Sequence, residues 1–213
     1  MNLGFLGSKQ FSFGKFSKLL DRICREERGV TTDVLRSIIE LAIELAREGR
    51  EGRKIGTLFV VGDESKVLTY SRPLILDPLQ GHEDDEKRIE DPNMRETIKE
   101  LSQLDGGFVI SNEGIVLSAT RYINAHGHDI NLPLGLGSRH VAAASITQDT
   151  DAVAVVVSES SVVRVFDDGK IIAEIIPELW LLQSVRSSIS DAIIEEIKDE
   201  NLAVISEKDE SKK

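Results

Sequence analysis

The sequence predicts an α/β fold, in which a single domain has a central mixed β-sheet covered by helices. Apolar residues recur at helical spacing over residues 35–46. Short apolar runs at 54–62 and 152–157 have the length of buried strands. Glycine-containing turns at 112–114 and 167–169 indicate hairpins. Hairpins combined with helical crossovers favour a mixed sheet over an all-parallel one.

We divide the chain into three parts. Residues 1–50 are predicted to be an N-terminal helical extension, residues 51–178 the main domain, and residues 179–213 a C-terminal helix with a charged tail. A chain of 213 residues is long enough for one sizeable core. Because aromatic residues make up only 5% of the chain, we expect that core to be aliphatic.

In the first half of the chain, helices and strands alternate. Residues 13–27 predict a short amphipathic helix. The cluster Thr31-Thr32-Asp33 resembles the start of a longer helix, and Gly49 is suited to its end. Residues 54–62 predict a buried strand, and residues 67–70 a second strand.

The next elements surround the predicted hairpin turn at 112–114. A helix is predicted at 94–104, and the two hairpin strands at 108–111 and 115–118. A helix at 139–147 then leads into the apolar strand 152–157.

A second hairpin and a final helix complete the prediction. The hairpin joins strands at 162–166 and 170–174. Pro177 suits the first position of a helix. The helix itself is predicted from an unbroken i, i+4 stripe of apolar residues: Leu181, Val185, Ile189, Ile193 and Ile197.

Composition excludes several classes of function. The formal net charge of −11 argues against a polyanion-binding surface, so we expect no nucleic-acid partner. The single cysteine, Cys24, excludes an intramolecular disulfide and a multi-cysteine zinc site. We find no apolar run near the roughly 20 residues of a membrane span and no signal-peptide pattern. We therefore expect a soluble, cytoplasmic protein with no membrane partner.

The strongest candidate site is a glycine-rich loop, residues 133–137, that leads into a helix of small residues. Glycine lets the backbone approach a ligand, and a helix start presents N–H groups to an anion. Ser138 can cap the helix and donate to a phosphate, and Arg139 offers a planar fork of donors. His140 can donate to phosphate or, when neutral, bind a metal. For this motif alone, an ordinary helix start is an equally good interpretation.

Two carboxylates are further candidates. Asp105 precedes two glycines, where a carboxylate can hold a metal or a ligand hydroxyl at close range, although a simple Asp-Gly turn is favoured for the dipeptide alone. Ser158 and Glu159 end a long apolar strand, a place where ligand-facing side chains emerge. Glu159 is either a cation ligand or a solvated strand end.

Other motifs are weaker. His126 and His128 lack acidic or cysteine partners at metal-site spacing, so we expect a structural or solvent role for them. The sequence contains no Gly-x-x-x-x-Gly-Lys-Ser/Thr loop, which disfavours a Walker-type nucleotide hydrolase.

Taken in order along the chain, the motifs resemble those of the diadenylate cyclase family. That family carries an Asp-Gly-Ala motif, an Arg-His-Arg motif and a Ser-Glu pair at a strand end. The corresponding residues here are Asp105-Gly106-Gly107, Arg139-His140-Val141 and Ser158-Glu159. The resemblance covers residues 50–176, and the segment 48–63 is similar to archaeal stand-alone members. Gly107 replaces the usual Ala, and Val141 replaces the second Arg.

The resemblance implies an enzyme that condenses two ATP molecules into cyclic di-AMP and releases pyrophosphate. In the family, the 3′-hydroxyl of each ATP attacks the α-phosphate of the other. Because one domain binds one ATP, a face-to-face homodimer or a higher homo-oligomer is implied. The implied cofactor is Mg²⁺ or Mn²⁺.

The resemblance also implies roles for single residues. Asp105, Arg139 and His140 would be catalytic, with Asp105 orienting or deprotonating the 3′-hydroxyl and Asp105 and His140 binding the metal. Leu134 and Gly135 would form the adenine pocket. The full substrate-binding set implied by the resemblance is Gly106, Gly107, Leu134, Gly135, Ser138, Ser158 and Glu159.

Two other functions stay open on the sequence. Val141 would suit a catalytically degenerate module that binds ATP or cyclic di-AMP without turnover. The long apolar helices predicted at both ends would suit a structural or interaction protein. Base selectivity does not follow from these residues, and a product made from GTP is a further alternative.

Overall fold

The structure is a computed structural model, and it describes residues 15–24, 30–124, 130, 132–179 and 187–207. The helices of these residues are α1 (Lys15–Ile23), α2 (Thr32–Glu48), α3 (Glu64–Thr69), α4 (Pro92–Leu101) and α5 (Ser138–Asp149). The strands are β1 (Thr57–Val61), β2 (Ser71–Pro73), β3 (Gly107–Ile110), β4 (Val116–Ile123), β5 (Val153–Val157), β6 (Val163–Asp167), β7 (Lys170–Ile176), β8 (Ala192–Ile197) and β9 (Leu202–Glu207).

The strands of the described residues form one mixed sheet. Its order is β2-β4-β3-β1-β5-β6-β7-β9-β8. β1 pairs in parallel with β3 and antiparallel with β5. The remaining strand pairs within this described sheet are antiparallel. The predicted fold class, a mixed sheet covered by helices, is therefore confirmed.

Helices lie on both faces of this sheet. Phe59 and Val61 of β1 join the cluster that contains the buried residues of α1, α2 and α4. Leu58 and Val60 point the other way and pack with α3 and α5. Burial on both faces explains why β1 is apolar throughout and does not alternate with polar residues.

The helix expected after the Thr31-Thr32-Asp33 cluster is confirmed as α2. One side of it is buried against the sheet, with Leu35, Ile38 and Ile39 fully covered. Gly49 follows the helix with φ 61° and donates its N–H to the Leu45 carbonyl. Thr31 is the N-cap residue, but its side chain makes no capping hydrogen bond among the described residues, so the sequence overstated this cap.

The strand predicted at 67–70 is wrong, because this segment belongs to the helix α3. Asp63, in the left-handed region with φ 40°, begins the helix, and its carbonyl accepts the Val67 N–H at 3.0 Å. Only Val67 in this helix is buried. A run of four apolar and polar residues is too short to distinguish a period of 2 from a period of 3.6.

The predicted C-terminal helix is also wrong over the residues that the structure describes there. Residues 192–197 form β8, which pairs antiparallel with β9 and extends the sheet beyond β7. Residues at i and i+4 share one face of a strand as well as of a helix, so the stripe through Ile189, Ile193 and Ile197 fits both. Isoleucine favours the strand. Leu181 and Val185 lie outside the described residues.

None of the helices in the described residues is both long enough and apolar enough to cross a membrane.

Candidate active site

The glycine-rich loop 133–137 leads directly into α5, as the sequence predicted. Gly137 occupies the N-cap position of α5. Ser138 is therefore the first helical residue and does not act as the cap we expected. Gly137 has no side chain that could cap this helix start. The first N–H groups of α5 and the positive end of its dipole therefore face the space in front of its N-terminal end.

Arg139 lies between two carboxylates. Its Nη2 is 3.7 Å from Asp105 Oδ1, and its Nη1 is 3.6 Å from Glu159 Oε1. Both distances suit ion pairs but exceed those of good hydrogen bonds. Neither contact is a full hydrogen bond, and the side chains of Asp105 and Glu159 are 94% and 73% exposed. An incoming phosphate can therefore compete for the guanidinium donors.

The sheet order brings these three residues together. β1 and β3 are neighbouring parallel strands, so they begin at the same end of the sheet, with Phe59 opposite Phe108. β5 is antiparallel to β1 and ends at that same end, with Thr57 opposite Val157. Asp105, two residues before β3, and Glu159, two residues after β5, therefore meet beside the start of β1, where α5 also begins.

Gly56, immediately before β1, leaves the space that the Arg139 side chain occupies. A Cβ at Gly56 would lie 2.7 Å from Arg139 Nη1 and 3.3 Å from Glu159 Cγ. Gly56 is also buried. A side chain here would push the guanidinium out from between its two carboxylates.

The two glycines after Asp105 are needed for close backbone packing. Gly106 has φ 101°, and a Cβ there would lie 2.6 Å from the carbonyl carbon of Thr120. Thr120 itself has φ 52°, at an irregularity in the β3–β4 pairing. A β-branched residue in the left-handed region is strained. A Cβ at Gly107 would lie 2.9 Å from the Leu58 carbonyl oxygen. This packing sets the position of Asp105.

A cavity of about 400 Å³ opens at the start of α5. Its lining includes most of the predicted loop and helix residues as well as the residues after β5. The described residues that line it are Gly135, Leu136, Gly137, Ser138, Arg139, His140, Val156, Val157, Ser158, Glu159, Ser160 and Arg164. Leu134 is not among these lining residues, and its side chain is fully exposed.

Ser158 stabilises the turn at the cavity wall. Its hydroxyl donates to the Val162 carbonyl at 3.0 Å and accepts the Val162 N–H at 3.2 Å. It also shares a hydrogen bond with Ser160. These contacts close the turn between β5 and β6 and so hold Glu159 at the mouth of the cavity.

His140 lies at the cavity wall and is almost completely buried. Its Nε2 is 3.2 Å from Arg164 Nη1. Burial, reinforced by the positive charge of Arg164, lowers the pKa of His140 to about 4, although the nearby Gly137 carbonyl opposes this shift. At neutral pH the ring is therefore uncharged. Nδ1 is buried and makes no well-formed hydrogen bond within the described residues.

A family match fits this geometry. The model described as DisA bacterial checkpoint controller nucleotide-binding, abbreviated DAC, matches residues 44–171. That is more than half of the chain, and it includes Asp105, Arg139 and Glu159. The chain belongs to the DAC family.

Two archaeal relatives of this DAC chain carry the name diadenylate cyclase. The one from Methanocaldococcus jannaschii is 52% identical over 149 residues, which are 70% of this chain and 47% of that protein. The one from Haloferax volcanii is 45% identical over 148 residues, which are 69% of this chain and 54% of that protein. The chain thus spans about half the length of the curated relatives it matches.

Solved structures give weaker likenesses to this DAC chain. DacA from Staphylococcus aureus, crystallised as a double mutant, is 22% identical with a TM-score of 0.45, over 75% of this chain and 88% of that one. A hypothetical membrane spanning protein from Bacillus cereus is 23% identical with a TM-score of 0.48, over 64% of this chain and 61% of that one. Neither likeness bears on the function.

The expected metal can be tested against the side chains of this DAC site. Within the described residues, no group of three or more His, Cys, Asp and Glu side chains could hold a metal by itself. Glu159 lines the cavity, whereas Asp105 is an exposed carboxylate on the other side of Arg139 and, like Gly106 and Gly107, is not among the described lining residues. Carboxylate oxygens are suitable ligands for Mg²⁺ or Mn²⁺, but here phosphate oxygens would have to supply the remaining ligands. The metal role of His140 stays a prediction, and the guanidinium against its Nε2 counts against it.

Sequence reasoning missed two residues of the candidate site, Gly56 and Arg164. A glycine beside a buried strand often marks a place where another group approaches the backbone closely, so Gly56 could have been proposed from the sequence. Arg164 sits in the middle of the apolar β6, and a cation in such a strand calls for a buried partner. His126 and His128, to which we gave a structural or solvent role, lie outside the described residues.

Proposed function

We propose that the chain is a diadenylate cyclase, which joins two ATP molecules into cyclic di-AMP. The observation that carries this proposal is Arg139, held between Asp105 and Glu159 at the mouth of a cavity that begins at a helix start. Membership of the DAC family and the names of the two archaeal relatives support it. A generic phosphate site would not need a carboxylate on each side of its arginine.

In the proposed reaction, the 3′-oxygen of each ATP attacks the α-phosphorus of the other. The bond between the α-phosphorus and the bridging oxygen breaks, and pyrophosphate leaves with the electron pair. Asp105 orients the 3′-hydroxyl and accepts its proton. Arg139 and the first N–H groups of α5 hold the triphosphate and stabilise the charge that builds up on it. Ser138 and Gly135, on the same cavity wall, complete the cradle.

The replacement of the second Arg by Val141 does not remove a cation from this cavity. Val141 is not among the described residues that line it, whereas Arg164 is. The cavity wall therefore has two arginines, Arg139 from α5 and Arg164 from β6. This arrangement supports an active enzyme over a degenerate binding module.

Two protomers would have to face each other for the reaction. Each cavity is open, and large apolar side chains are exposed beside its motif residues: Leu104, next to Asp105; Leu134, next to Gly135; and Val141, next to His140. Exposed apolar residues grouped around a site favour a protein contact there. We infer that this face meets the same face of a second chain.

A divalent cation, Mg²⁺ or Mn²⁺, would be held by Asp105 and Glu159 together with phosphate oxygens of the nucleotide. When bound, it would neutralise part of the triphosphate charge.

The test is direct. The purified chain is incubated with ATP and Mn²⁺ or Mg²⁺, and cyclic di-AMP is sought by liquid chromatography with mass detection. We expect product from the wild type, none from Asp105→Asn, and ATP binding largely intact in that variant. Asp151→Asn, which neutralises an aspartate outside the cavity, is the matched control and should keep full activity.

Three outcomes would count against the proposal. Binding of ATP without any product would favour a nucleotide-binding module. The absence of any nucleotide-induced thermal shift would favour an interaction protein. Full activity of Asp105→Asn would show that Asp105 does not have the role given to it here.

A further inference from the structure

A buried chain of polar contacts runs from the cavity into the C-terminal part of the sheet. Arg164 Nε donates to Glu174 Oε1 at 2.8 Å, and Arg164 Nη1 contacts His140 Nε2 at 3.2 Å. Glu174 is fully buried. Its other oxygen, Oε2, accepts from the Ser187 hydroxyl at 2.9 Å and from the Ser188 N–H at 2.8 Å.

We propose that Glu174 is a positioning residue for the active site. Through Arg164, Glu174 fixes the ring orientation and the tautomer of His140. The segment 187–188 holds the Glu174 carboxylate in place. The inference rests on the proposed function, because it concerns the same cavity. The family match ends at residue 171, so Glu174, Ser187 and Ser188 lie beyond the matched region.

The tautomer follows from the donors and acceptors. A guanidinium has five N–H donors and no acceptor, and it stays protonated in proteins. Nε2 of His140 must therefore accept the hydrogen bond from Arg164, so the proton of the neutral ring is on Nδ1. The Glu174 carboxylate, which accepts from Nε of Arg164, holds the guanidinium so that its Nη1 is directed at that nitrogen.

Packing of the core alone would not require a buried ion pair between Arg164 and Glu174. Replacing a buried ion pair by apolar residues of similar volume often leaves a protein as stable or more stable, so such a pair is weak grounds for a purely structural role. Here the pair ends on a cavity residue, and Arg164 itself lines the cavity. Glu174 is not among the described lining residues, so it acts only through its partners.

The experiment measures the His140 tautomer directly. Protein with ¹⁵N-labelled histidine is studied by two-bond ¹H–¹⁵N correlation spectra, which distinguish Nδ1–H from Nε2–H rings. The sequence contains four histidines, and the His140→Gln variant identifies the signals of His140. We expect the wild type to show the Nδ1–H form, and Glu174→Gln to show a mixture of the two tautomers.

Kinetics with ATP and Mn²⁺ provide the second measurement. Glu174→Gln should lower kcat by about 10- to 100-fold with a smaller change in KM, because His140 and Arg164 on the cavity wall are misplaced while the phosphate contacts of Arg139 and the helix start stay. Glu178→Gln is the matched control. Glu178 lies in the same part of the chain and pairs with Arg47, away from the described lining of the cavity. It should change neither the tautomer nor kcat.

A variant that leaves a charge buried and unpaired can fail to fold, so a double variant completes the test. Arg164→Met combined with Glu174→Met removes both charges and should fold, yet lose the Nδ1–H preference. A wild-type tautomer in the folded double variant, or in Glu174→Gln, would overturn the inference. Because the spectra require no turnover, they decide this inference even if the wild type makes no cyclic di-AMP, which would count against the proposed function alone.

Discussion

The two ends of α5 have opposite chemistry. At its first residue, Ser138, lies the cavity of about 400 Å³ with Arg139 and Arg164 on its wall. At its last residue, Asp149, lies a larger groove of about 720 Å³. Within the described residues that groove is lined mainly by aspartates and one lysine: Asp63, Asp149, Asp151, Asp167, Asp168 and Lys66.

The difference shows that the size of a concave surface is a poor guide to its ligand. The larger groove combines carboxylates with the negative end of a helix dipole, so it repels a triphosphate. Lys66 contacts Asp63 at 2.9 Å and Asp151 at 3.5 Å, but one lysine does not offset the five aspartates of this groove. The smaller cavity combines arginines with the positive end of the same helix. On a chain with a net charge of −11, the local field decides where an anion binds.

Among the variants that compare the two ends of α5, the largest effect is expected at Arg139. Arg139→Met removes the cation at the first end of the helix and should lower cyclic di-AMP formation by roughly 1000-fold. Lys66→Met removes the same charge at the other end and should leave activity unchanged. Equal losses in the two variants, measured by product formation at fixed ATP, would mean that the two ends do not differ as we describe.

Acid should act on the first end of the helix through His140. Its pKa is lowered to about 4 in the folded chain, below the ordinary value of 6.5, so the unfolded chain binds a proton first as the pH falls. Stability that is present above pH 6.5 is therefore lost between about pH 6.5 and pH 4, by up to about 3 kcal/mol. Urea unfolding at a series of pH values measures this loss.

The His140→Gln variant identifies the source of that loss. It should flatten the curve over this pH range, whereas His82→Gln, at an exposed histidine, should follow the wild type. A curve of unchanged slope in His140→Gln would assign the pH dependence to other groups.

A smaller effect is expected at Gly56. Gly56→Ala places a Cβ 2.7 Å from Arg139 Nη1 and should displace the guanidinium without unfolding the chain. We expect a loss of activity of about tenfold, or about 1.4 kcal/mol in the barrier. Circular dichroism and thermal unfolding check that the fold is kept. Unchanged activity would show that Arg139 tolerates the shift.

The smallest effect is expected at the acidic end. Asp149 is the last residue of α5, where a negative charge opposes the helix dipole. Asp149→Asn should stabilise the chain by roughly 0.3–1 kcal/mol and leave product formation unchanged. Urea unfolding measures the first quantity. A loss of stability in this variant would indicate that Asp149 makes a contact worth more than the dipole term.

The sequence predicted those parts of the fold that have one strong local signal. α2 combines a buried stripe with a stop at Gly49, and the hairpins carry glycine turns, so all were found. It failed at α3, which is too short to show a period, and at β8, whose spacing fits a helix as well as a strand. Which segments pair in the sheet depends on contacts between distant residues, and local patterns do not contain that information.

The same limit applies to the site. Asp105, Arg139 and Glu159 were proposed from separate motifs, but their meeting depends on β3, β1 and β5 being neighbours. The space that Gly56 leaves, and the contact of Arg164 with His140, follow only from three-dimensional packing. The capping role given to Ser138 failed because Gly137 holds the N-cap position and Ser138 is already the first helical residue.

The position of β1 has a consequence for how the chain folds. β1 needs β3 and β5 as neighbours, and both are made much later during synthesis, up to Val157. Until then its apolar edges have no partners, and pairing across such long stretches of chain is slow. The end of the sheet that carries the candidate site needs these same three strands, so it forms late. Most of the chain must therefore be made before the candidate site can take its shape.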